Sequence, residues 1–585
     1  MIAYQPRTED MDFILTQVLN APAQLQALSA FSEVDPDLMR QVLDEAGKFV
    51  GEVVAPLNRE GDEVGCRHSV VDGWGTVTMP PGSRDAYQSF WQAGWPALAC
   101  APEDGGQGLP AALEAMLYEM LSAANHGWTM APGLLHGAYE CIKHYASDEL
   151  RALYLEKVAT GEWLATMCLT EPHAGSDLGL ARTKAVPQAD GSYLVSGTKI
   201  FISGGEHDLT DNIVHLVLAR LPDAPPGPKG LSLFLVPKFY PDGTRSKVHC
   251  DRIEEKMGLH GSPTCVMRFD EARAQIVGQP GRGLNAMFVM MNAARLHVAL
   301  QGIGLLDSAW QKADAYAQER RQMRAPGKGK SAAEADFISE HPAMRRILDS
   351  QRAWIDGGRV LAYSTALELD ILKHHLDATR REAAQRWCTL VTPIIKAAFT
   401  HQAFYGGSEC LQVFGGHGYV REWGIEQILR DSRVAMIYEG TNEIQAIDLL
   451  ARKVLADGGA GLSALLDDLA ASLSAALPAG MDAAQASALT APVLARFARL
   501  RQITAQVAEA ARTDATLPYW VADDYLRAAA LALLGWAGAR IEAMLTADTP
   551  DLVSRWQTPA QALRSWVLPE FEMRAGIVAA RCTGT

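Results

Sequence analysis

The chain has 585 residues, 48% of them hydrophobic and 21% charged, which is material for roughly three or four folding units with a sizeable core. Its formal net charge of −15 speaks against a nucleic-acid partner, because such a surface needs a basic stripe to neutralise phosphates. The nine cysteines, from Cys66 to Cys582, include no CxxC pair, so neither a disulfide framework nor a metal site is expected, and a reducing, cytoplasmic setting fits.

The start, MIAYQPRTEDMDF, carries Glu9, Asp10 and Asp12. A secretory signal begins basic and turns apolar, and a mitochondrial leader avoids acids, so neither is expected. No apolar run reaches about 18 residues, so no membrane span is expected.

From about Phe31 to Ala159, segments such as PDLMRQVLDEAGKFVGEVV and PAALEAMLYEMLSAANHG space apolar residues three and four apart, as helices do. From about Glu162 to Val277 the pattern changes. IVHLVLARL and LSLFLVPKF read as buried strands, PDAPPGPKG as a loop, and GSYLVSGTKIFISGG as two short strands at a tight turn. From Gly283 the helical spacing returns, as one long helix or two up to about Gln322. A second long helix covers HPAMRRILDSQRAWIDGGRVLAYSTALELDILKHH, and a third covers TPIIKAAFTHQAFYGGSECLQVFG. The stretch RAPGKGKSAAEAD between the first two reads as a mobile loop. Ala/Leu-rich helices follow Gly458; from Gly461 on there are 10 Arg, no Lys and 12 Asp/Glu, which offers no cationic face to DNA or lipid.

The expected fold is mainly α with a central β-domain. Its parts are an N-terminal extension over 1–34, a helical domain over 35–160, a middle β-barrel or sandwich over 161–280, a second helical domain (a four-helix bundle) over 281–457, and an extra helical region over 458–585. The first and third blocks are expected to pack together as one helical body.

Four segments stand out: MCLTEPHAGSDLG (Met167 to Gly179), GTKIFISGG (Gly197 to Gly205), the Arg295 helix continuing through Glu319 and Arg320, and CLQVFGGHGYVREWGIEQILRDSRVAMIYEGTNEIQ (Cys410 to Gln445). Each alone has an ordinary explanation. TEPHAGSD has the composition of a turn, GGHGY that of a helix stop, and YEGTNEIQ that of a loop with Thr441 or Asn442 as N-cap. In this order and spacing they resemble the acyl-CoA dehydrogenase family. The likeness runs from about Leu98 to Val454, and the added C-terminal helices resemble the longer bacterial members. That subgroup includes enzymes acting on fatty acyl-CoAs and on 3-methylthiopropionyl-CoA.

The resemblance implies an FAD-dependent α,β-dehydrogenation of an acyl-CoA to the trans-2-enoyl-CoA, in a homodimer, with electron-transferring flavoprotein as acceptor. The thioester Cα–H is a very weak acid. Removing its proton needs a well-placed base, and the charge building on the carbonyl must be met by hydrogen bonds. Glu439 matches the family's catalytic glutamate. Gly440 beside it lets backbone approach the substrate, and the Glu439 N–H is implied to bind the thioester carbonyl. Some family members place the base just before the arginine matching Arg295; here Asn292, Ala293 and Ala294 hold no acid. Asn292 and Arg295 are assigned to the substrate pocket.

Met167, Leu169 and Thr170 match the strand beside the flavin ring. Ser176 matches a contact to FAD phosphate and the CoA pantetheine arm. Phe201 and Ser203 match residues packed on the isoalloxazine, with Phe where many relatives have Trp. Arg320 matches an arginine on the neighbouring subunit's FAD pyrophosphate, and Gln322 follows it where many relatives have Lys-Thr-Phe. Gln412, Gly415 and Gly416 match a turn clasping the FAD diphosphate across the dimer. Thr441 and Glu443 match contacts to the adenosine half. The competing readings are an acyl-CoA oxidase that uses O2 and a flavin-binding relative without enzymatic activity.

Overall fold

In chain order, among the described residues, helices precede a pair of strands, separate it from seven further strands and follow those. The computed structural model describes residues 3–327, 334–545 and 549–583. It divides into two compact units, one of Met1–Lys48, Ala115–Ala123 and Val298–Thr585, the other of Phe49–Glu114 and Ala124–His297. Most of the first helical block is thus grouped with the strands in the second unit.

In the second unit a hairpin joins β1 (Arg67–Val71) to β2 (Trp74–Thr78). Its turn, Asp72-Gly73, has φ of 51° and 82°, the left-handed pair that a two-residue hairpin loop requires. The main sheet comprises β3 (Leu164–Cys168), β4 (Lys184–Pro187), β5 (Tyr193–Ser203), β6 (Ile213–Arg220), β7 (Leu231–Pro237), β8 (Val248–Ile253) and β9 (Thr264–Val277). β6 pairs with β7, β7 with β9, β9 with β5, β5 with β4, and β4 returns to β6 through Lys184 and Arg220. The sheet thus closes on itself as a small barrel, with β3 parallel on β6 and β8 antiparallel on β9. Val195, Val217, Phe234, Cys265 and Phe269 fill its core. β6 and β7 are buried almost end to end, which is why they read as continuous apolar runs.

The stretch expected to be two short strands at a turn is the single 11-residue strand β5. Register shifts at Val195/Gly197 and at Lys199/Ile202 absorb the irregularity that Gly197 suggests, and bulges of this kind bend a strand without ending it.

The first unit is built on three long helices. The helix Gly283–Glu319 is one element, whose residues from Val298 on belong to this unit. Pro342–His374 and Ala378–Val413 pack on each other. Gly283–Glu319 alone among the described residues has the length and hydropathy of a membrane span. Of its apolar window 82% is buried, which marks a core helix. The loop expected over 324–336 lies partly outside the described residues. After Gly458 come Ala460–Ala476, Ala483–Ala510, Leu517–Ala543, Pro550–Ala562 and Glu570–Thr583. Leu517–Ala543 is buried along most of its length and packs on Pro342–His374 and Ala378–Val413. The rings of Trp387 and Trp536 meet edge to face at 5.9 Å. The C-terminal region is therefore part of this unit's core.

Candidate active site

In the helical unit the chain leaves a short 3-10 turn at Arg433–Met436 and re-enters helix at Asn442–Ile447. Thr441 caps that helix through its hydroxyl, which accepts from the Ile444 N–H at 3.3 Å, as Ser/Thr at N-cap do. Between turn and cap stands half-buried Glu439. Its φ is 55°, a left-handed conformation that costs a non-glycine residue about 1–3 kcal/mol and persists where the surroundings over-determine it. Gly440 follows at φ 84°, and a Cβ there would meet the Gln445 amide nitrogen at 2.7 Å. The loop is gripped at each residue. Tyr438 donates its hydroxyl to Gln301 Oε1 at 2.6 Å, and burial pushes this phenol well above its usual range. Gln445 Nε2 donates to the Glu439 carbonyl at 2.9 Å. Lys396 Nζ donates to the Gly440 carbonyl at 2.7 Å. Glu443 is exposed in the first helical turn.

The same unit holds a cavity of about 390 Å³ lined by Tyr316, Arg320, Gln322, Gln412, Gly415 and Gly416, among others. Five residues expected at the cofactor thus share one cavity. Its apolar wall is an aromatic stack: Phe414 on Tyr316 at 4.4 Å, and His417 on Trp423 at 4.7 Å. The Tyr316 hydroxyl and His417 Nδ1 share a hydrogen bond of 2.9 Å. Arg320 is exposed and its side chain makes no ion pair among the described residues. Gly415 has φ 58°, and a Cβ on it or on Gly416 would meet nothing within 4 Å. A fork of donors, an amide and open glycine backbone suit a phosphate-bearing nucleotide.

In the strand unit, Met167 lies on β3 with Leu169 and Thr170 just beyond it, and Phe201 and Ser203 lie on β5. The Ile200 N–H donates to the Thr170 carbonyl at 2.9 Å, so the two sets of residues are neighbours. Phe201 sits in the bulge at φ 60° with 60% of its surface exposed. A strained backbone presenting a bare aromatic ring points to a ligand face. Ser176 is exposed on the loop after Thr170. Arg295 is half-buried on the helix Gly283–Glu319; the side chain of Asn292 lies outside the described residues.

Two residues not singled out in the sequence hold this face in place. Buried Lys199 donates to the Leu169 carbonyl at 3.0 Å and to Glu171 Oε1 at 2.8 Å. Glu171 also accepts from the Arg182 N–H, the Thr183 N–H and the Thr183 hydroxyl. Burial works to raise the Glu171 pKa, but the Lys199 ammonium and these donors outweigh it and hold the carboxyl down at about 2. A depressed folded-state pKa means stability that is complete above the ordinary glutamate value and lost as the pH falls toward 2. Glu171→Gln is therefore expected to flatten the acid limb of stability, measured as the urea midpoint between pH 5 and pH 3; an unchanged limb would show that the pair carries none of it.

The bare aromatic ring lies in the strand unit, and the strained carboxylate and the cavity lie in the helical unit. The domain models of acyl-CoA dehydrogenases match the chain almost throughout its first 455 residues: the N-terminal domain at 37–162, the middle domain at 166–272 and the C-terminal domain at 281–455. The chain belongs to the acyl-CoA dehydrogenase family, whose cofactor is FAD. It is 44% identical over 463 residues to 3-methylmercaptopropionyl-CoA dehydrogenase of Ruegeria pomeroyi, covering 78% of this chain and 77% of that protein. It is 35% identical over 481 residues to the broad-specificity linear acyl-CoA dehydrogenase FadE5 of Mycobacterium tuberculosis, covering 79% and 77%. Among solved structures, an acyl-CoA dehydrogenase of Bacillus anthracis complexed with FAD shares the fold at a TM-score of 0.74 and 20% identity, over 95% of this chain and 90% of that one.

Proposed function

We propose that the protein dehydrogenates an acyl-CoA thioester between Cα and Cβ, with Glu439 taking the α-proton. The observation that carries this reading is the Glu439 loop, a carboxylate kept in a strained backbone by three separate side-chain grips. Its neighbours Ile437 and Gly440 leave the loop open to a ligand, since Ile437 is half exposed and Gly440 has no side chain. In this reading the Glu439 N–H meets the thioester carbonyl as negative charge grows there. Bound FAD supplies the acceptor for the β-hydride. Thr170, Phe201 and Ser203 face its ring, Ser176 its phosphate and the pantetheine arm, and Arg320, Gln322, Gln412, Gly415 and Gly416 its diphosphate from a second copy. Thr441 and Glu443 reach toward the adenosine half. Electron-transferring flavoprotein then takes up the electrons.

For the nucleotide end of the thioester, the strand unit offers a groove of about 820 Å³. Pro222, Pro225 and Phe288 wall it, and Lys229 and Arg282 bring two exposed cations to its lining. For the acyl group, the 44% identity to the Ruegeria pomeroyi enzyme favours 3-methylthiopropionyl-CoA, and the likeness to FadE5 favours linear fatty acyl-CoAs. The test is bleaching of the bound flavin, without oxygen, by a panel of acyl-CoAs from short to long that includes 3-methylthiopropionyl-CoA. Bleaching is expected to be fastest with the methylthio or a short linear substrate. A flavin that no member bleaches would sink the reading, and abundant peroxide under air without an added acceptor would make the enzyme an oxidase.

A further inference from the structure

Lys396 lies on the helix Ala378–Val413 and is 0% exposed. A buried ammonium is costly unless its donors are met. Here they are met by the loop that carries Glu439: Nζ donates to the Gly440 carbonyl at 2.7 Å and to Asn442 Oδ1 at 3.0 Å. One turn along the same helix, Thr400 meets Asn442 Oδ1 at 3.2 Å. The Asn442 amide donates back to the Ala397 carbonyl at 3.1 Å. The preceding carbonyl, that of Glu439, is taken by Gln445. Two consecutive carbonyls are thus tied down, and the peptide between Glu439 and Gly440 is not free to rotate. Without that restraint, the left-handed Glu439 would relax toward an ordinary conformation and its carboxylate would swing with it.

We infer that Lys396 is a positioning residue for Glu439: its buried ammonium, acting through the Gly440 carbonyl and Asn442, fixes the backbone conformation that aims the base. This rests on the reading of Glu439 as the base. Lys396 itself touches neither substrate nor flavin in this assignment, so its loss is expected to slow proton abstraction without weakening binding.

The experiment uses FAD-loaded Lys396→Met, Lys396→Arg and Glu439→Gln, with the acyl-CoA that bleaches the parent fastest. The limiting bleaching rate and the half-saturating substrate concentration are measured separately, with FAD content alongside. Lys396→Met is expected to keep its FAD and its half-saturation while the limiting rate falls by about a hundredfold, the usual effect of a small misplacement of reacting groups. Lys396→Arg, which keeps a cation and donors, recovers part of the rate. If Lys396→Met does not fold, Lys396→Gln leaves no charge buried and is read by the same split. A limiting rate equal to the parent's, or a loss that only follows lost FAD or raised half-saturation, overturns the assignment. Glu439→Gln keeps the two questions apart. If it bleaches like the parent, the base reading fails; if it does not bleach while Lys396→Met does so at full rate, only the role of Lys396 fails.

Discussion

Glu439→Gln is expected to fold, bind FAD and bind thioester as the parent does, and to bleach its flavin with substrate roughly a thousandfold more slowly, in keeping with the loss of a general base. The amide has nearly the shape of the carboxylate and accepts no proton. The grips on the loop all fall on the backbone or on neighbours: Gln445 on the Glu439 carbonyl, Lys396 on the Gly440 carbonyl, Gln301 on the Tyr438 hydroxyl. These three contacts do not depend on the charge of the Glu439 carboxylate, so they persist in the amide variant. The measurement is the visible absorbance of the oxidised flavin after anaerobic mixing with substrate. Glu443→Gln, at the nearest other carboxylate along the chain, is the comparison; with FAD content matched to the parent, it is expected to keep most of the bleaching rate. The reverse result, with Glu443→Gln slow and Glu439→Gln fast, would transfer the role of base.

The division of labour around Glu439 explains why the site is spread over so long a sequence. A base held on a flexible loop would spend most of its time misaimed, and the ordering cost would fall on every turnover. Here the ordering is built in. The two side chains on either side of the loop, Lys396 and Gln445, come from helices already fixed by packing, and Thr441 starts the second of those helices by capping it. The same arrangement recurs in the strand unit. There Lys199 and Glu171 hold the backbone of Leu169 and its neighbours, while Phe201 is left bare in a strained bulge. In both units a buried lysine donates to the main chain beside the residue expected to meet a ligand.

How much of this was legible before the structure depended on whether the signal was local. β6 and β7 were readable because burial on both faces turns a strand into a continuous apolar run. A helix start at Thr441 or Asn442 was readable because capping is a matter of three residues, and the structure gives the cap to Thr441. The hairpin of β1 and β2 was missed although its Asp-Gly turn is plainly written. β1 is largely exposed and has no apolar alternation to announce it. β5 was split in two because Gly197 resembles a turn, and only the partner strand β9 shows that pairing continues past it. Glu439, Arg320 and the glycines of the cavity stand out in the sequence through motifs and not through physics. The left-handed dihedrals of Glu439 and Gly415, and the cavity that Arg320 shares with Gly415 and Gly416, are properties of three-dimensional context. Lys396 was invisible for the same reason: in IIKAAF it reads as one polar residue on an apolar helix, and its partners lie more than forty residues away.

The largest effect on stability is expected from Glu119→Ala. In the helical unit, four arginines meet five carboxylates: Arg359 with Glu119 and Asp307, Arg7 with Asp307 and Asp10, Arg352 with Asp10 and Asp356, and Arg555 with Glu9 and Asp10. Arg359 and Glu119 are both wholly buried, 2.7 Å apart. Glu119 also accepts the Tyr363 hydroxyl at 2.6 Å. Charges so buried add little net stability while balanced, but removing one partner leaves the other without compensation, at a cost of about 3–5 kcal/mol. Glu119→Ala leaves Arg359 with only one of its two buried carboxylates, Asp307, and the Tyr363 hydroxyl without its acceptor. The urea midpoint of unfolding is the measurement. The control is Arg512→Ala, which removes an exposed pair with Glu509 and is expected to shift the midpoint by little, since surface pairs contribute about 0–1 kcal/mol. Arg7 and Asp10 tie the N-terminal segment into the same group. Glu119→Ala is therefore also expected to speed proteolytic cleavage near residues 1–34 in the folded protein. Equal midpoint shifts for Glu119→Ala and Arg512→Ala would mean that the surrounding helices tolerate an Arg359 paired with Asp307 alone, by admitting water or by moving, and that the buried charges do not brace this unit.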